Sequence, residues 1–300
     1  MPATRWYSAV SASDRVAAMS RRATIVGASG FIGSRLVAHL GREGWDCSAP
    51  ARHDHGFLDE SLGTVFYCAG LTADFAQRPF DAVRAHVGLL NELLAKGRFD
   101  TLVYLSSTRL YDRCSSPDGA AIDEATPLAL DPAEPRHLYD LSKALGESLC
   151  GHASGGRARV ARLSCVYGDA NDADGFLAAL LRRLREPRID NIVPVDSTLH
   201  AERDYVHVND VLDALVHIAT RGTRAVYNVA GGCNVSNARL FARIGELAGC
   251  ELRALHMHSR SHAPPCPAPV SIERMRSEFG WQPVALLDQL PRLVQGALSC

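Results

Sequence analysis

Two side chains that could exchange a proton with a substrate lie four residues apart in this chain. Tyr139 and Lys143, in the segment YDLSK, would share one face of a helix, because residues four apart are neighbours on a helix surface. A nearby ammonium group favours the charged form of a phenol and can lower its pKa from the ordinary value of about 10. Only two of the 32 Lys and Arg residues are lysines, so a lysine at this spacing is informative.

Hydroxyl groups follow the end of a predicted strand. The apolar run Thr101–Leu105 leads directly into Ser106, Ser107 and Thr108. In open α/β sheets, ligands bind in the crevice outside the carboxyl ends of the strands. A hydroxyl at this place would therefore point into the crevice where a ligand binds.

A glycine-rich turn earlier in the chain could hold the phosphates of a dinucleotide. The segment GASGFIGS lies between a predicted strand, Thr24–Val26, and an amphipathic helix. Glycine lets the backbone approach a pyrophosphate, and the helix N-terminus supplies unpaired N–H groups for it. The GxxGxxG spacing is typical of short-chain dehydrogenases. The predicted cofactor site comprises Gly27, Ser29, Gly30, Phe31, Ile32, Gly33, Arg52, Cys68, Ala69, Gly70, Tyr139 and Lys143.

The end of the next strand bears on which nicotinamide cofactor is preferred. An acidic residue there would hydrogen-bond the ribose 2′-hydroxyl of NAD. In this chain the segment CSAPAR has Ala51 at that place, followed by Arg52, which could pair with a 2′-phosphate. The sequence therefore favours NADP(H) over NAD(H).

Strands and helices alternate from residue 23, which indicates a Rossmann-like α/β fold with a doubly wound parallel sheet. Only His53–Gly63 separates the second strand from the third, so one βα unit is predicted to be shortened there. Later helices are predicted at Phe176–Arg185 and Val208–Ala219, with a final one near Leu240–Leu247. We predict a tail over residues 1–22, a Rossmann domain over 23–170, and a smaller substrate-binding lobe over 171–300 that interleaves with the last Rossmann elements.

The composition argues against several classes of partner. With 47% hydrophobic and 22% charged residues and a formal net charge of -1, the chain has no basic face for nucleic acid or an anionic membrane. No run approaches the ~20 apolar residues that span a bilayer. The nine cysteines are odd in number and form no CxxC pair, which favours a reducing cytoplasm. The histidines of HMHSRSH lack partners at metal-ligand spacing, so we predict no metal site.

Several segments together resemble the landmarks of the NAD(P)-dependent epimerase/dehydratase family, within the extended short-chain dehydrogenases/reductases: GASGFIGS, LSSTRLY, YDLSK, RLSCVYG and RDYVHVNDV. The resemblance extends from about Ala23 to Pro283. It selects Ser107 as the hydroxyl residue, with Thr108 as the alternative, because the family's Ser or Thr lies four residues before the Tyr of its SSxxxY motif. It implies that Tyr139 exchanges a proton with a sugar hydroxyl or ketone. It also implies that Ser107 shares that hydrogen bond, that Lys143 holds the cofactor ribose, and that hydride moves to or from the nicotinamide.

The resemblance also implies a substrate, a nucleotide-diphosphate sugar. Arg203 matches the family arginine that contacts the diphosphate, and Thr108, Cys165 and Arg260 complete the predicted substrate residues. Family dehydratases place an Asp-Glu pair directly after the catalytic Thr. This chain has Thr108-Arg109 there, so dehydration is disfavoured. Cys165 and His86 replace two asparagines of the family's motifs.

The predicted function is reduction or epimerisation at C4 of a nucleotide-diphosphate sugar. Two alternatives stay open: reduction of a carbonyl compound that carries no nucleotide, and a non-catalytic NAD(P)-binding sensor. The intact Ser, Tyr and Lys set argues against the sensor. Relatives dimerise through helices like those predicted at Phe80–Leu94 and Tyr139–Cys150, so a homodimer is expected.

Overall fold

A six-stranded parallel sheet forms the centre of the protein, whose computed structural model describes residues 21–71, 75–114, 119–169, 175–187, 190–256 and 267–299. Its strands are joined and covered by helices. The strands are β1 (Arg22–Val26), β2 (Asp46–Ser48), β3 (Ser61–Tyr67), β4 (Arg98–Ser107), β5 (Ala158–Leu163), β6 (Cys165–Tyr167), β7 (Ile192–Val195), β8 (Glu202–His207), β9 (Val226–Val229), β10 (Asn234–Ser236) and β11 (Glu251–Ala254). The central sheet has the order β2-β1-β3-β4-β5-β9, with every neighbouring pair parallel.

Helices cover the central sheet on both faces. They are α1 (Phe31–Arg42), α2 (Pro79–Val83), α3 (Leu89–Lys96), α4 (His137–Ala153), α5 (Phe176–Arg183), α6 (Val208–Arg221), α7 (Asn237–Ala248), α8 (Glu273–Phe279) and α9 (Leu286–Ser299). On one face, Leu36 of α1 and Leu215 of α6 share a buried cluster with Ile25 of β1. On the other, Leu93 of α3 and Cys150 of α4 share a second cluster. The predicted doubly wound α/β fold is therefore confirmed.

The connection between β2 and β3 is short. It contains a single 3₁₀ turn, Gly56–Asp59, before β3 begins at Ser61. β2 has only three residues and pairs with β1 alone. In the described part of the chain, the sheet therefore has no strand beyond β2 on that side.

A smaller lobe lies beside the sheet. It contains a three-stranded sheet of order β10-β8-β6 and a two-stranded pair of β11 and β7. The helices α5, α7 and α9 pack around a second core that includes Leu181, Leu240 and Leu290. Between these lobe elements the chain returns to the central sheet through α6 and β9. Among the described residues no helix is both long and apolar enough to cross a membrane.

The structure departs from the sequence-based predictions in one boundary, one helix and two additional elements. β1 begins at Arg22, inside the predicted tail, whose other residues up to 20 lie outside the described ranges. The helix predicted at Phe80–Leu94 is interrupted by a π-helical turn, Arg84–Gly88. Two helices, α8 and α9, follow the last one predicted. α9 contains Pro291, which in a sequence reads as a helix breaker.

The π-helical turn is held by the two strands beneath it. The hydroxyl of Tyr67 donates to the carbonyl of Ala85 over 2.7 Å. The hydroxyl of Tyr104 donates to the carbonyl of His86 over 3.2 Å. A π turn frees carbonyl groups from the regular helical pattern, and these buried hydroxyls satisfy them. His86 is thereby fixed facing α4.

A buried ion pair ties α4 to the central sheet. Arg162 of β5 donates to both carboxylate oxygens of Glu147 in α4, with a closest distance of 2.6 Å. The Ser106 hydroxyl, near the end of β4, donates to the same carboxylate. Arg162 also donates to the Tyr111 hydroxyl over 2.6 Å, which donates to Asn228 of β9. Buried charges are tolerated when they are paired and hydrogen-bonded in this way, and the network sets the position of α4 against the end of β4.

Candidate active site

Two positions where β1 leads into α1 can hold only glycine: Gly27 in the turn and Gly33 in the first turn of the helix. Gly27 has a φ of +86°, and a Cβ there would lie 2.7 Å from the backbone nitrogen of Ala69. A Cβ at Gly33 would collide with the carbonyl oxygen of Gly27. Gly30 caps α1 in an extended conformation. The glycines thus bring the turn, the start of α1 and the end of β3 together without intervening side chains.

The first turn of α1 fits a pyrophosphate. Gly30 provides no side chain to cap the helix, and the first turn contains no acidic residue. The unpaired N–H groups and the positive end of the helix dipole are therefore available to an anion. Ser29 and Gly30 are exposed there, while Phe31 and Ile32 are half-buried.

The segment after β3 forms the floor beside this turn. Cys68, Ala69 and Gly70 follow directly after Tyr67. A Cβ at Gly70 would lie 3.3 Å from both Lys143 Nζ and His86 Nε2, so Gly70 adjoins the lysine. The glycine turn and Lys143 therefore lie at one edge of the sheet. This arrangement fits a dinucleotide whose pyrophosphate lies on α1 and whose ribose reaches the lysine.

Ser107 and Tyr139 meet at the carboxyl end of β4. Ser107 is the last residue of β4 and caps the 3₁₀ turn Thr108–Tyr111, because its hydroxyl accepts the N–H of Arg109 over 3.2 Å. Tyr139 lies in the first turn of α4 and is 4% exposed. Burial raises the pKa of Tyr139 above its ordinary value of 10, while the Arg109 guanidinium and a hydrogen bond with Ser107 oppose the rise. The pair can therefore share one proton with a ligand oxygen.

Lys143 is buried one helical turn beyond Tyr139. Its ammonium donates to the carbonyl of Leu105 over 2.8 Å and lies 5.0 Å from the centre of the Tyr104 ring. Burial lowers the pKa of Lys143 to about 7, and the acidic groups of Cys68 and Glu147 oppose this. Lys143 can therefore gain or lose a proton near neutral pH, and its remaining donors are available to a ligand.

His86 closes the buried side of the site. Its Nε2 accepts the N–H of Leu71 over 3.2 Å, so its proton lies on Nδ1, 2.7 Å from the Ser142 hydroxyl. The Ser142 hydroxyl donates in turn to the carbonyl of Tyr139 over 2.8 Å. Burial and the neighbouring Lys143 lower the pKa of His86 to about 3. His86 is therefore a neutral hydrogen-bonding group that braces the start of α4.

A cavity of about 760 Å³ opens beside Thr108 and Asp140, the chain neighbours of Ser107 and Tyr139, between the sheet edge and the lobe. Three of the four predicted substrate residues, Thr108, Cys165 and Arg203, line it. The fourth, Arg260, lies outside the described residues. The volume lies within the range of small-molecule sites, and both the sheet and the lobe contribute to its walls.

Arg203 presents a guanidinium group at the wall of the cavity. Its Nη1 is buried without a hydrogen-bond partner in the described structure. Its guanidinium lies over the ring of Phe176, 4.9 Å from the ring centre, at the wall of the cavity. A buried guanidinium donor without a partner fits the recognition of phosphate, which arginine binds through parallel hydrogen bonds.

Arg52 lies away from the cavity, at the adenosine end expected for a cofactor. It is exposed in the turn after β2. Together with Arg78 and Arg84 it contributes to lowering the pKa of Asp81, chiefly through the hydrogen bond from Arg78. The described residues contain no group of three or more His, Cys, Asp or Glu side chains that could hold a metal ion.

Arg109 and Asp140 both line the cavity, and neither was predicted from the sequence to be a site residue. Arg109 lies over the ring of Tyr139, with its guanidinium carbon 4.6 Å from the ring centre. Its Nε is 3.5 Å from the carboxylate of Asp140. Adjacency of Asp140 to Tyr139 is the one sequence signal, but neighbouring helical residues point in different directions. No spacing rule therefore links them to Arg109.

Comparison with known proteins places the chain among nicotinamide-dependent enzymes. A sequence model of the NAD dependent epimerase/dehydratase family matches residues 23–230. A GDP-6-deoxy-D-mannose reductase of Pseudomonas aeruginosa is 28% identical over 301 residues, covering 92% of this chain and 96% of the relative. A UDP-glucose 4-epimerase of Azospirillum brasilense is 26% identical over 341 residues, covering 96% of this chain and 93% of the relative. The solved structure of RMD from Pseudomonas aeruginosa complexed with NADPH is 25% identical, with a TM-score of 0.75 over 94% of this chain and 98% of that one.

The glycine turn gives a first prediction. Gly33→Ala forces the added methyl against the Gly27 carbonyl, so the turn must shift, and we expect NADPH to bind at least about tenfold more weakly, with ~1–3 kcal/mol lost from the free energy of unfolding. Fluorescence titration with NADPH and denaturant unfolding measure both. Gly41→Ala in the same helix is the control, because nothing lies within 4 Å of its Cβ position. Equal NADPH affinity in both variants would contradict the cofactor site.

Lys143 gives a prediction on pH. Its pKa is lowered in the folded state to about 7 from 10.5, so between these values the unfolded chain binds one more proton. The free energy of unfolding of the ligand-free protein should therefore rise with pH, by up to about 1.4 kcal/mol per unit above pH 7. Lys143→Met should remove this rise, whereas Lys96→Met, at an exposed position, should keep it. Denaturant unfolding at several pH values measures the slope, and equal slopes in the two variants would count against a buried, deprotonating Lys143.

Proposed function

This chain belongs to the NAD dependent epimerase/dehydratase family, and from that membership we propose that it is an NADP(H)-dependent 4-ketoreductase of a nucleotide-diphosphate sugar. Its relatives include sugar-nucleotide reductases and epimerases. The observation that carries the proposal is the meeting of Ser107 and Tyr139, with Lys143 one helical turn away, directly behind a cavity whose wall contains Thr108, Asp140 and Arg203. The candidate proton-transfer groups are thus the chain neighbours of residues that share a cavity with the candidate phosphate-binding arginine.

The residues of the sheet edge would hold the cofactor. The glycine turn and the N-terminus of α1 would bind the pyrophosphate, and Lys143 would donate to the hydroxyls of the nicotinamide ribose. When bound, the dinucleotide supplies hydride to the substrate carbonyl carbon. The buried position of Lys143 excludes water from the groups that it contacts.

Tyr139 would supply the proton of the reduction. As the carbonyl becomes an alcohol, the Tyr139 Oη gives its proton to the substrate oxygen, and Ser107 holds that oxygen by a hydrogen bond. Afterwards the phenol regains a proton from solvent. His86 keeps Tyr139 in place because its Ser142 partner bonds the Tyr139 carbonyl.

Arg203 would bind the substrate diphosphate. Its buried Nη1 has no hydrogen-bond partner in the described structure, and a phosphate oxygen would satisfy it. Thr108 and Cys165 line the cavity with Arg203 and would contact the sugar. A carbonyl compound without a nucleotide would leave the Arg203 donor unsatisfied, which costs binding free energy.

Reduction is favoured over epimerisation by the slightly higher identity of the reductase relative, 28% against 26% for the epimerase relative. It is favoured over dehydration by the residue that follows Thr108. Arg109, in place of an acid, follows Thr108 at the position where an acid–base pair would be needed to eliminate water. An epimerase would use the same proton-transfer residues and return the hydride to the other face of the sugar, so it is the second candidate.

The preference for NADP(H) is supported by charge near the adenosine end. Arg52, Arg78 and Arg84 surround Asp81 closely enough to act on its pKa, and such a basic group suits a 2′-phosphate. The structurally similar RMD was solved with NADPH. Affinities for NADPH and NADH, compared in the wild type and in Arg52→Ala, test the preference. Loss of selectivity for NADPH in the variant supports it, and an unchanged ratio assigns the preference to other residues.

The reaction can be tested with a panel of substrates. Purified protein is incubated with NADPH and 4-keto or 4-hydroxy nucleotide-diphosphate sugars while the absorbance of reduced nicotinamide is followed. We expect net oxidation of NADPH with a keto sugar, reduced at least about 100-fold in Tyr139→Phe because the general acid is lost. Tyr167→Phe is the matched control, since its hydroxyl is buried without a hydrogen-bond partner in the described structure.

Other outcomes of this assay assign other functions. A change of sugar configuration without net NADPH oxidation would establish an epimerase. Turnover of small carbonyl compounds alone would establish the reductase of non-nucleotide substrates. Tight cofactor binding without turnover of any compound would favour the sensor.

We also propose a homodimer formed through α2 and α4. These neighbouring helices expose three large apolar side chains, Phe80, Val83 and Leu145, with Phe80 83% exposed. Contiguous exposed apolar surface of this kind marks protein interfaces, and a second copy of the chain offers a self-complementary partner.

A cytoplasmic location is proposed as well, because the seven described cysteines are all free.

Charge introduced into the apolar surface should separate the subunits. The double variant Phe80→Glu/Leu145→Glu is expected to be monomeric at micromolar concentration, because each buried carboxylate would have to be desolvated at the interface. Light scattering after size-exclusion chromatography measures the mass. Val284→Glu, at an exposed apolar position before α9, should remain dimeric. A monomeric wild type would overturn the proposed dimer.

A further inference from the structure

An arginine lies against the ring of the tyrosine that is proposed to transfer the proton. The guanidinium carbon of Arg109 is 4.6 Å from the centre of the Tyr139 ring and 5.2 Å from that of Phe75. The two rings are themselves 5.4 Å apart. A cation over an aromatic face is attracted by the electrons of the ring, and this attraction grows when the phenol becomes a phenolate.

Asp140 holds the guanidinium in this place. The Nε of Arg109 is 3.5 Å from Asp140 Oδ1, and Asp140 is only 3% exposed. This oxygen has no hydrogen bond within the described structure. Burial raises the pKa of Asp140, and Arg109 is the leading group that opposes the rise. A buried carboxylate needs a charge partner, so displacing Arg109 from the Tyr139 ring would also take from Asp140 the largest of the positive charges that act on it.

The backbone of Arg109 acts on the other member of the proton-transfer pair. Its N–H donates to the Ser107 hydroxyl over 3.2 Å, which occupies one acceptor position of that oxygen. The Ser107 proton is then free to point toward a ligand or toward Tyr139. One residue thus orients the serine through its main chain and covers the phenol through its side chain.

We propose that Arg109 is a positioning residue of the proton-transfer centre: held by Asp140, its guanidinium stabilises the phenolate that Tyr139 becomes when it gives up its proton. The inference rests on the proposed function, in which the O–H bond of Tyr139 breaks and a new O–H bond forms on the substrate carbonyl oxygen. Hydride from the reduced nicotinamide adds to the carbonyl carbon. The negative charge stays on Tyr139 until solvent returns a proton.

The other described groups that face Tyr139 cannot provide the same permanent charge. His86 from the π turn meets the ring edge-on at 5.1 Å and is neutral, and Ser107 from β4 is uncharged. Lys143, one turn along α4, has its pKa lowered to about 7 and donates to the Leu105 carbonyl. Asp140 opposes the phenolate. Arginine keeps its charge at any pH at which the protein is folded, so Arg109 is the permanent cation among these groups.

Arg109→Met and Arg109→Lys test the inference in the folded protein. The Cζ resonance of isotope-labelled Tyr139, assigned by its absence in Tyr139→Phe, is followed by NMR against pH with and without NADP⁺. Arg109→Met should raise the pKa of the Tyr139 phenol by about one unit, while Arg109→Lys should keep at least half of the effect. In turnover, Arg109→Met should lower kcat about tenfold, since one pKa unit corresponds to a tenfold change, with KM changed less than twofold.

Arg221→Met is the matched control, because Arg221 also lies over an aromatic ring, that of Phe279, but at the distant end of α6. It should change neither the phenol pKa nor kcat. An unchanged Tyr139 pKa in Arg109→Met would overturn the inference, and so would a rise in KM alone, which would make Arg109 a substrate contact. If no sugar nucleotide is turned over by the wild type, the proposed function fails, while the NMR titration still decides the role of Arg109.

Discussion

The parallel pairing of the central strands determines where the candidate active site of this protein lies. Because β1, β3 and β4 are parallel neighbours, their carboxyl ends meet at one edge of the sheet. Each end contributes a different group: the glycine turn after β1, the floor after β3, and Ser107 at the end of β4. None of these groups would face the same crevice if one of the strands were reversed. The parallel direction of these strands is therefore the constraint on which the site depends.

Contacts with the central sheet fix how deeply helix α4 is buried at this edge. Tyr139, Lys143 and Glu147 lie four residues apart along one face, and this face is turned toward β4 and β5. Arg162 and Ser106 of the sheet donate hydrogen bonds to the Glu147 carboxylate. The positive charge of Arg162 thereby compensates the negative charge on this face of α4. The same burial lowers the pKa of Lys143 and raises that of Tyr139. Burial against the sheet therefore both packs α4 and shifts the pKa values of its two proposed proton-transfer residues.

Residues that depart from the family's motifs occupy the surroundings of the proposed proton-transfer pair. By the family resemblance, His86 would replace an asparagine, and in the structure it braces α4 through Ser142. By the same resemblance, Arg109 would replace an acid of the family's dehydratases, and it lies over the Tyr139 ring. Cys165 lines the cavity beside them. The departures concern what surrounds the hydroxyl, phenol and ammonium groups, which themselves follow the family pattern. When relatives share a proton-transfer chemistry but differ in reaction or substrate, we expect their sequences to differ at positions around the shared groups.

The sequence by itself determined the features that depend on local spacing. The glycine turn, the alternation of strands and helices, and the shared face of Tyr139 and Lys143 all follow from the backbone geometry of a few consecutive residues. The tertiary structure alone decided which distant residues meet: Arg109 with Asp140, His86 with Ser142, and Arg203 with the cavity near Thr108. It also produced the π turn, inside a helix predicted to be regular, and α9, for which no helix was predicted. Contacts between residues distant in the chain depend on how the whole core packs, and no local period of the sequence encodes that packing.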